Sequence, residues 1–310
     1  GLACQHLHGV ELRAWPDAWR PVEPGDVVVE SFACELPAPF VAAMATRSRP
    51  PAWINLEYLS AEAWIEGTHG LPSPHPTLPL RKHFFFPGFT RATGGLPRER
   101  GLLDTRRQSD AARVGGAALT VFLFAYGHPA MPVLLDAWAG GSLPLRLRLP
   151  PGKAREQVAE WLGGSLPDGA NVTLGALRVE ALPFVAQEDF DALLWDADLL
   201  FVRGEDSAVR AMWAGRPFVW QFYPQADDAR RAKMEAFLER HGQDLSPAAR
   251  KAEAEMFRAW NLSGNPAAAW PAWLASRAEL MDHAERWCAR LENLGDLAEN
   301  LVKFCAERVK

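Results

Sequence analysis

The chain is poor in several features that would each indicate a function class. It has only four cysteines in 310 residues and no C-x-x-C pair, so neither a disulfide framework nor a zinc site is indicated. No apolar run reaches the length of a membrane span, and we expect no signal peptide. The formal net charge of −5 gives no basic excess for binding nucleic acid. These absences favour a cytoplasmic protein whose thiols are reduced and mostly buried.

Motifs that identify several large enzyme classes are missing as well. There is no G-x-x-x-x-G-K-[ST] loop for a P-loop ATPase, no G-x-G-x-x-G at a strand–helix turn, and no G-x-S-x-G for a serine hydrolase. His69 and His75 have no Cys, Asp or Glu at metal-ligand spacing, and we interpret them as loop histidines. We therefore expect neither a metal nor another bound cofactor.

Short apolar segments alternate with helical patterns along most of the chain, which predicts an α/β fold with parallel sheets. A first series extends over residues 1–110, with predicted strands at 10–14, 26–30, 53–58 and 84–86. A second series extends over residues 117–290. Its predicted strands are 118–124, 145–149, 178–182, 199–202 and 218–222, and its predicted helices are 131–138, 154–162, 188–195 and 206–214. Two doubly wound Rossmann-like domains of this kind bind a ligand between them, at the carboxyl ends of their strands.

Polar and proline-rich segments interrupt this alternation. The charged residues 103–116 are the predicted linker, and the proline-rich residues 67–79 are predicted to be irregular. From residue 227 the pattern is helical, with a break near 263–266 and a last helix over 280–309. The end of that helix, residues 291–310, is expected to pack back on the first domain.

The most informative segment is Arg-Gly-Glu-Asp-Ser at 203–207, between a predicted strand and a predicted helix. The backbone N–H groups of a first helical turn have no partner within the helix and favour an anion. Glu205 would repel a phosphate unless its carboxylate accepts hydrogen bonds from sugar hydroxyls, so the segment suggests a nucleotide-sugar site. The alternative is an ordinary helix start, with Asp206 or Ser207 as its cap and Arg203 in a surface ion pair.

A second turn of the same kind precedes the helix predicted at 188–195. Phe184 is placed to stack on a base, and Gln187 to bind the edge of that base. The alternative is a buried phenylalanine and a helix-capping glutamine. Tyr126 follows the strand predicted at 118–124 and should lie at the same edge of the sheet, where a tyrosine is also often structural.

Several of these segments resemble the EarP family of bacterial protein-arginine rhamnosyltransferases, which modify translation elongation factor P (EF-P). The resemblance extends over nearly the whole chain. It is carried by residues 203–207 with Arg210, by Trp-Ala-Gly-Arg-Pro-Phe-Val-Trp at 213–220, by Tyr-Pro-Gln at 223–225, by Ile-Asn-Leu-Glu-Tyr-Leu-Ser-Ala-Glu at 54–62, and by residues 70–76 and 84–89.

The resemblance implies an inverting glycosyltransferase of the GT-B fold, with dTDP-β-L-rhamnose as donor and EF-P as protein partner. It implies a thymine site at Phe184, Gln187 and Phe190. The ribose and diphosphate would contact Glu205, Asp206 and Ser207, with Arg203 and Tyr126 nearby.

One family feature is missing. The family carries an Asp-Asn-Tyr-Gly-Asp-like segment near its N-terminus, and its aspartates are the leading candidates for the catalytic base. This chain opens instead on Gly1, within an amphipathic helical pattern, so we expect part of the N-terminus to be missing. Glu205 is then expected to support catalysis without being the base. Two alternatives stay open: a GT-B enzyme with another donor or acceptor, and a non-catalytic module that binds a nucleotide sugar or a partner.

Overall fold

The computed structural model of the protein describes residues 4–13, 22–32, 34–113, 116–224 and 229–309. A hairpin comes first, in which β1 (Cys4–Leu7) pairs antiparallel with β2 (Val10–Arg13). The strand predicted at 10–14 is confirmed over 10–13, whereas the helix predicted for the opening of the chain is wrong for 4–7. Residues 1–3 and 14 lie outside the described residues, as do 114–115 of the predicted linker and 227–228 of the predicted helical part.

A first α/β unit follows the hairpin. Its strands are β3 (Val27–Ser31), β4 (Ala52–Leu56), β5 (Pro72–Pro74) and β6 (Arg81–Phe85), and its helices are α1 (Ala38–Thr46) and α2 (Trp64–Thr68). The strand order is β3–β4–β6–β5, with β5 antiparallel to β6 and the other pairs parallel. The segment 67–79, predicted to be irregular, thus contains a short edge strand, where proline is tolerated because an edge does not need every backbone N–H group.

The predicted linker is largely a helix, α3 (Leu102–Ala112), and its role as the boundary between two domains stays a prediction. Its charged residues are not all solvated: Arg106 is buried, donates to Glu285 at 2.6 Å and lies 3.5 Å from Asp110. Leu103 is buried on the same face. A charged pattern therefore concealed an amphipathic helix, because a buried arginine is tolerated when carboxylates pair with it.

The second α/β unit contains a six-stranded sheet. Its strands are β7 (Leu119–Leu123), β8 (Leu145–Leu149), β9 (Asn171–Leu174), β10 (Leu177–Ala181), β11 (Leu199–Arg203) and β12 (Phe218–Gln221). Its helices are α4 (Met131–Ala139), α5 (Lys153–Trp161), α6 (Gln187–Trp195) and α7 (Gly204–Ala214). The order is β12–β11–β7–β8–β10–β9, and β9 is antiparallel to β10 while the other pairs are parallel.

The helical part contains α8 (Ala229–His241), α9 (Pro247–Asn261), α10 (Pro266–Ala275), α11 (Arg277–Glu292) and α12 (Leu297–Ala306). The break predicted near 263–266 is confirmed. The single helix predicted over 280–309 is wrong, because Gly295 has a φ of +83° and the Asp296 side chain caps a new helix. This last helix packs on the first sheet through Phe304, whose ring lies 5.3 Å from that of Phe85.

Two mainly parallel sheets with intervening helices confirm the predicted α/β fold class, while the predicted domain boundaries remain predictions. Within the described ranges, no helix is both long and apolar enough to cross a membrane. All four cysteines are free. Cys288 and Cys305 are buried, but Cys4 and Cys34 are exposed, so the prediction of mostly buried thiols is wrong for half of them.

A buried ion pair joins the two helices that follow β10 and β11. Arg210 of α7 donates from Nε to Oδ1 of Asp191 on α6 at 2.7 Å, and both side chains are buried. Arg210 also donates to Glu99. Burial opposes the positive charge, but the hydrogen bonds to Asp191 and Glu99 outweigh it and raise the pKa of Arg210. The pair therefore fixes the position of α7 relative to α6.

We expect Asp191→Ala to lower the free energy of unfolding by about 3–5 kcal/mol, because it leaves a buried arginine without its main partner. Asp104→Ala is the matched control, since Asp104 pairs with Arg107 at 2.6 Å on the exposed side of α3 and should cost less than about 1 kcal/mol. Urea denaturation of both variants measures the difference. Equal losses would show that Asp191 has no special structural weight.

Candidate active site

The turn between β11 and α7 brings the charged segment 203–207 to the carboxyl edge of the second sheet. The helix begins at Gly204, whose φ is +67°, so Asp206 and Ser207 lie inside its first turn. Arg203 is the N-cap residue, and no side chain caps the helix. The Ser207 hydroxyl accepts from the Arg203 N–H at 3.1 Å and donates to the Arg203 carbonyl. Capping by Asp206 or Ser207, the alternative interpretation, is therefore wrong.

The Arg203 guanidinium lies against two aromatic rings. It is 4.4 Å from the centroid of Phe124 and 4.6 Å from that of Tyr126. A cation over an aromatic face is attracted by the negative potential of the ring. Arg203 is thus positioned at the sheet edge by two side chains that follow β7. These ring contacts orient it, in place of the surface ion pair of the alternative interpretation.

The turn before α6 lies beside the start of α7. Gln187 is the first residue of α6, and its Nε2 donates to Oδ2 of Asp206 at 3.2 Å. Phe184 is 82% exposed, so it is not the buried phenylalanine of the alternative interpretation. Phe190 makes edge-to-face contacts with Phe122 and Phe124, each at 5.7 Å between ring centroids. It therefore packs against the sheet and also lies at the sheet edge.

All eight residues predicted for the donor site line one cavity of about 470 Å³. They are Tyr126, Phe184, Gln187, Phe190, Arg203, Glu205, Asp206 and Ser207. The structure brings them together because β7, β10 and β11 are parallel and end at one edge of the sheet. An exposed aromatic ring, an amide, a guanidinium and an uncapped helix start can receive a base, its edge and an anionic group.

A second cavity, of about 510 Å³, adjoins the first on the side of the four-stranded sheet. Tyr126, Gly204 and Glu205 line both cavities. The second cavity is also lined by residues that sequence reasoning did not assign: Phe32, Tyr58, Leu59, Trp220, Phe222, Tyr223, Arg230 and Lys233. A signal was present in the composition, because the chain has only three tyrosines and all of them line this cavity.

Glu205 is the carboxylate at the junction of the two cavities. Its Oε2 accepts a hydrogen bond from the backbone N–H of Leu59, 3.0 Å away, in the loop after β4. Burial raises the pKa of Glu205, although the Leu59 N–H and the nearby Lys233 favour its ionised form. The start of α7 is thus joined to the first α/β unit through the group that both cavities share.

The cavities contain no histidine or cysteine among the residues that the structure describes around them. The described group closest to a metal-ligand set is Cys4, His6 and Glu11, which lies on the exposed hairpin and lines neither cavity. Of the loop histidines, His69 accepts from the Phe86 N–H, and His75 accepts from the N–H groups of Thr77 and Leu78. These two imidazoles therefore serve local backbone structure.

Comparisons with known proteins agree with this geometry. A family model described as Elongation-Factor P (EF-P) rhamnosyltransferase EarP matches residues 1–306. A protein-arginine rhamnosyltransferase of Pseudomonas putida is 49% identical over 97% of this chain and 84% of its own. One from Pseudomonas aeruginosa is 44% identical over 98% of this chain and 84% of its own. A solved structure described as the structural basis for EarP-mediated arginine glycosylation of translation elongation factor EF-P has a TM-score of 0.66 and 40% identity, covering 72% of this chain and 76% of that one.

The junction of the cavities leaves only tight space for a side chain at Gly204. A Cβ there would lie 3.0 Å from the hydroxyl oxygen of Tyr126, and the positive φ adds backbone strain. We expect Gly204→Ala to lower the free energy of unfolding by more than the roughly 1–2 kcal/mol of that strain alone. Urea denaturation measures the loss.

Gly163→Ala is the matched control, because Gly163 has a φ of +74° and nothing lies within 4 Å of a Cβ there. Adding Tyr126→Phe to Gly204→Ala should recover the difference between the two glycine variants. If both glycine variants lose the same free energy, the contact with Tyr126 does not restrict this turn.

Proposed function

Because this chain belongs to the EarP family and is a protein-arginine rhamnosyltransferase, we propose that it transfers L-rhamnose from dTDP-β-L-rhamnose to an arginine of EF-P, with inversion at the anomeric carbon. The observation that carries the proposal is the pair of cavities sharing Glu205. One cavity suits a nucleotide, the other opens toward the first α/β unit, and the transferred sugar would pass between them. Since EF-P acts in translation, we propose the cytoplasm as the site of action.

In this proposal the larger part of the donor binds at the carboxyl edge of the second sheet. The thymine stacks on Phe184, an exposed ring with a free face. Gln187 binds the edge of the base, and Phe190 closes the inner side of the cavity. Gln187 donates to Asp206 in the present structure, so one of the two exchanges this hydrogen bond for one to the donor. The N–H groups at the start of α7 would bind the diphosphate, together with Ser207 once its hydroxyl exchanges its hydrogen bonds to the Arg203 backbone.

The reaction needs charge stabilisation on the donor side. The diphosphate gains negative charge as the glycosidic bond breaks through an oxocarbenium-like transition state. Arg203, held against Phe124 and Tyr126, and the uncapped start of α7 would stabilise that charge without reorganising. We propose that no metal is needed. Addition of EDTA should therefore leave the rate of transfer unchanged.

The reaction also needs help on the acceptor side. An arginine guanidinium keeps its proton up to a pKa above about 12, which makes it a poor nucleophile. A carboxylate facing the guanidinium localises its electrons and accepts a proton as the new bond forms. Glu205 is the acidic residue that lines both cavities, and we assign it to support ribose and acceptor. The family's N-terminal aspartates remain the expected base, and no residue of this chain is assigned to that role.

The assay that tests the proposed function is mass spectrometry of EF-P after incubation with the full-length protein and dTDP-β-L-rhamnose. We expect one deoxyhexose on one arginine, and NMR of the product should show an α linkage, as inversion requires. A short peptide containing the same arginine should react much more slowly, because we propose that the enzyme recognises the acceptor by the shape of a folded loop. Equal transfer from UDP sugars would indicate another donor, and no transfer from any donor would indicate a binding module.

The proposed role of Glu205 is tested by calorimetry of dTDP binding. A hydrogen bond to a charged group contributes about 1.5–3 kcal/mol, so Glu205→Ala should weaken dTDP binding roughly ten- to hundredfold. Glu188→Ala is the control, because Glu188 is an exposed carboxylate in the first turn of α6 and does not line the cavity. Unchanged affinity in Glu205→Ala would exclude the ribose role.

The same residue predicts a pH dependence. Protonation removes the charge that accepts hydrogen bonds from ribose, and burial raises the pKa of Glu205 above that of an ordinary glutamate. Affinity for dTDP should therefore be complete above the raised pKa and fall as the pH decreases through it. Glu205→Gln should bind more weakly and lose this dependence. A variant that keeps the wild-type pH profile would assign the titration to another group.

A further inference from the structure

The cavity on the side of the first sheet is lined by aromatic residues in addition to Tyr126, which it shares with the proposed donor site. Phe32, Tyr58, Tyr126 and Tyr223 line it, and we call these four residues the aromatic cluster. Phe32 is 53% exposed, Tyr58 45% and Tyr223 65%. Exposed rings of this size leave apolar surface in water, which costs free energy in the unbound protein. A binding partner that covers them would recover it.

Two of these rings are arranged as a pair. The centroids of Phe32 and Tyr58 are 4.9 Å apart, with an angle of 42° between the ring planes. Phe32 comes directly after β3, and Tyr58 comes two residues after β4, so both lie at the carboxyl edge of the first sheet. Glu205 is connected to this edge through the hydrogen bond from Leu59, the residue after Tyr58. Tyr58 is thus adjacent in sequence to the residue whose N–H binds the carboxylate at the junction.

The backbone at Phe32 is unusual. Its φ is +56°, in the left-handed region that bulky residues avoid. The position is tied to the sheet by a hydrogen bond from the Phe32 N–H to the Leu56 carbonyl at 3.4 Å. Glycine would adopt this conformation without strain, yet the chain places an exposed phenylalanine here. Strain of this kind concentrates at functional sites, where the surrounding structure maintains it.

The aromatic faces and the carboxylate of the cavity are suited to a planar cation. The ammonium of Lys233 already lies 5.6 Å from the centroid of Tyr58, so the face of this ring attracts positive charge in the present structure. A planar guanidinium can also stack on aromatic faces while it donates hydrogen bonds to a carboxylate at its edge. Glu205 is the carboxylate available in this cavity.

We propose that the guanidinium of the acceptor arginine stacks on Phe32 and Tyr58, with its edge toward Glu205. This inference rests on the proposed function and adds the residues that recognise the acceptor side chain. In this inference Phe32 and Tyr58 bind the arginine. They do not bind the thymine, for which Phe184 and Gln187 in the other cavity are the proposed residues. Phe32 and Tyr58 are binding residues here, since they contact the substrate away from the bond that breaks.

The charges around the cavity predict that the nucleotide binds before the acceptor arginine. Arg230 and Lys233 line it with a single carboxylate, Glu205, so a guanidinium entering alone meets a positive excess among the described lining residues. The donor diphosphate, bound on the other side of Glu205, reverses that balance. The acceptor arginine therefore binds well only after the nucleotide, and its affinity has to be measured with dTDP present.

A double-mutant cycle tests the stacking directly. Calorimetry with saturating dTDP compares wild-type enzyme and Tyr58→Leu, each against EF-P and against EF-P with its target arginine changed to methionine. A cation–π contact of ordinary strength predicts that Tyr58→Leu weakens binding to EF-P by about five- to tenfold. Binding to the methionine variant should weaken by less than twofold. Trp64→Leu is the matched control, since Trp64 is an exposed aromatic residue outside both cavities and should show no such coupling.

Phe32→Gly separates function from structure. Glycine relieves the strain at φ +56°, so the melting temperature of the variant should be no lower than that of the wild type. Its affinity for EF-P should nevertheless fall about as much as in Tyr58→Leu. A purely structural role for Phe32 predicts the opposite, a lower melting temperature with unchanged affinity.

Each remaining outcome decides between explanations. If Tyr58→Leu weakens binding to both forms of EF-P equally, the ring contacts another part of the factor and the inference is wrong. If it weakens dTDP binding in place of EF-P binding, the ring stacks on the base, which also overturns it. If the wild type rhamnosylates EF-P normally but the cycle shows no coupling between Tyr58→Leu and the change of the target arginine, this inference alone is wrong. No transfer by the wild type would reject the proposed function and this inference together.

Discussion

The hydrogen bond from the backbone of Leu59 to the carboxylate of Glu205 is the interaction on which the site depends. It joins the loop after β4 to the first turn of α7, and so connects two sheets that share no strand. Removing a carboxylate from water is costly, and the raised pKa of Glu205 reflects that cost. The Leu59 N–H offsets part of it. The result is a partly buried acid with a cavity on each side.

Buried contacts outside the site hold Glu205 and the elements around it in place. Arg210 is buried between Asp191 and Glu99, which fixes α7 against α6. Arg106 connects α3 to Glu285 of α11, and α12 returns to the first sheet, where Phe304 contacts Phe85. Each of these contacts joins segments distant in sequence through a buried charge or ring. The exposed groups of the site are therefore supported by well-packed helices and strands, the usual arrangement for preorganised catalysis.

Sequence reasoning succeeded where the signal was local. The turns before α6 and α7 were visible as polar residues after apolar strands, and parallel strands bring such turns to one edge. It failed where a tertiary contact overrode the local pattern. Arg106 made a helix resemble a linker, since nothing in the charged residues reveals that Glu285 pairs with them. Gly295 divided the last helix because Asp296 provides a new cap and pairs with Leu96 in a β-bridge.

The amino-acid sequence by itself determined the fold class and indicated seven of the eight residues that line one cavity at the sheet edge, while Phe190 was indicated only by the family resemblance. Strand length, helical periodicity and turn composition are local properties, and the parallel topology that they imply brings the turns after β7, β10 and β11 to one edge of the sheet. Only the tertiary structure decided what faces them. Leu59 lies 146 residues from Glu205 along the chain, and Phe32, Tyr58 and Tyr223 meet at one cavity from three separate segments. No pattern encodes those encounters, because they result from how the two α/β units pack against each other.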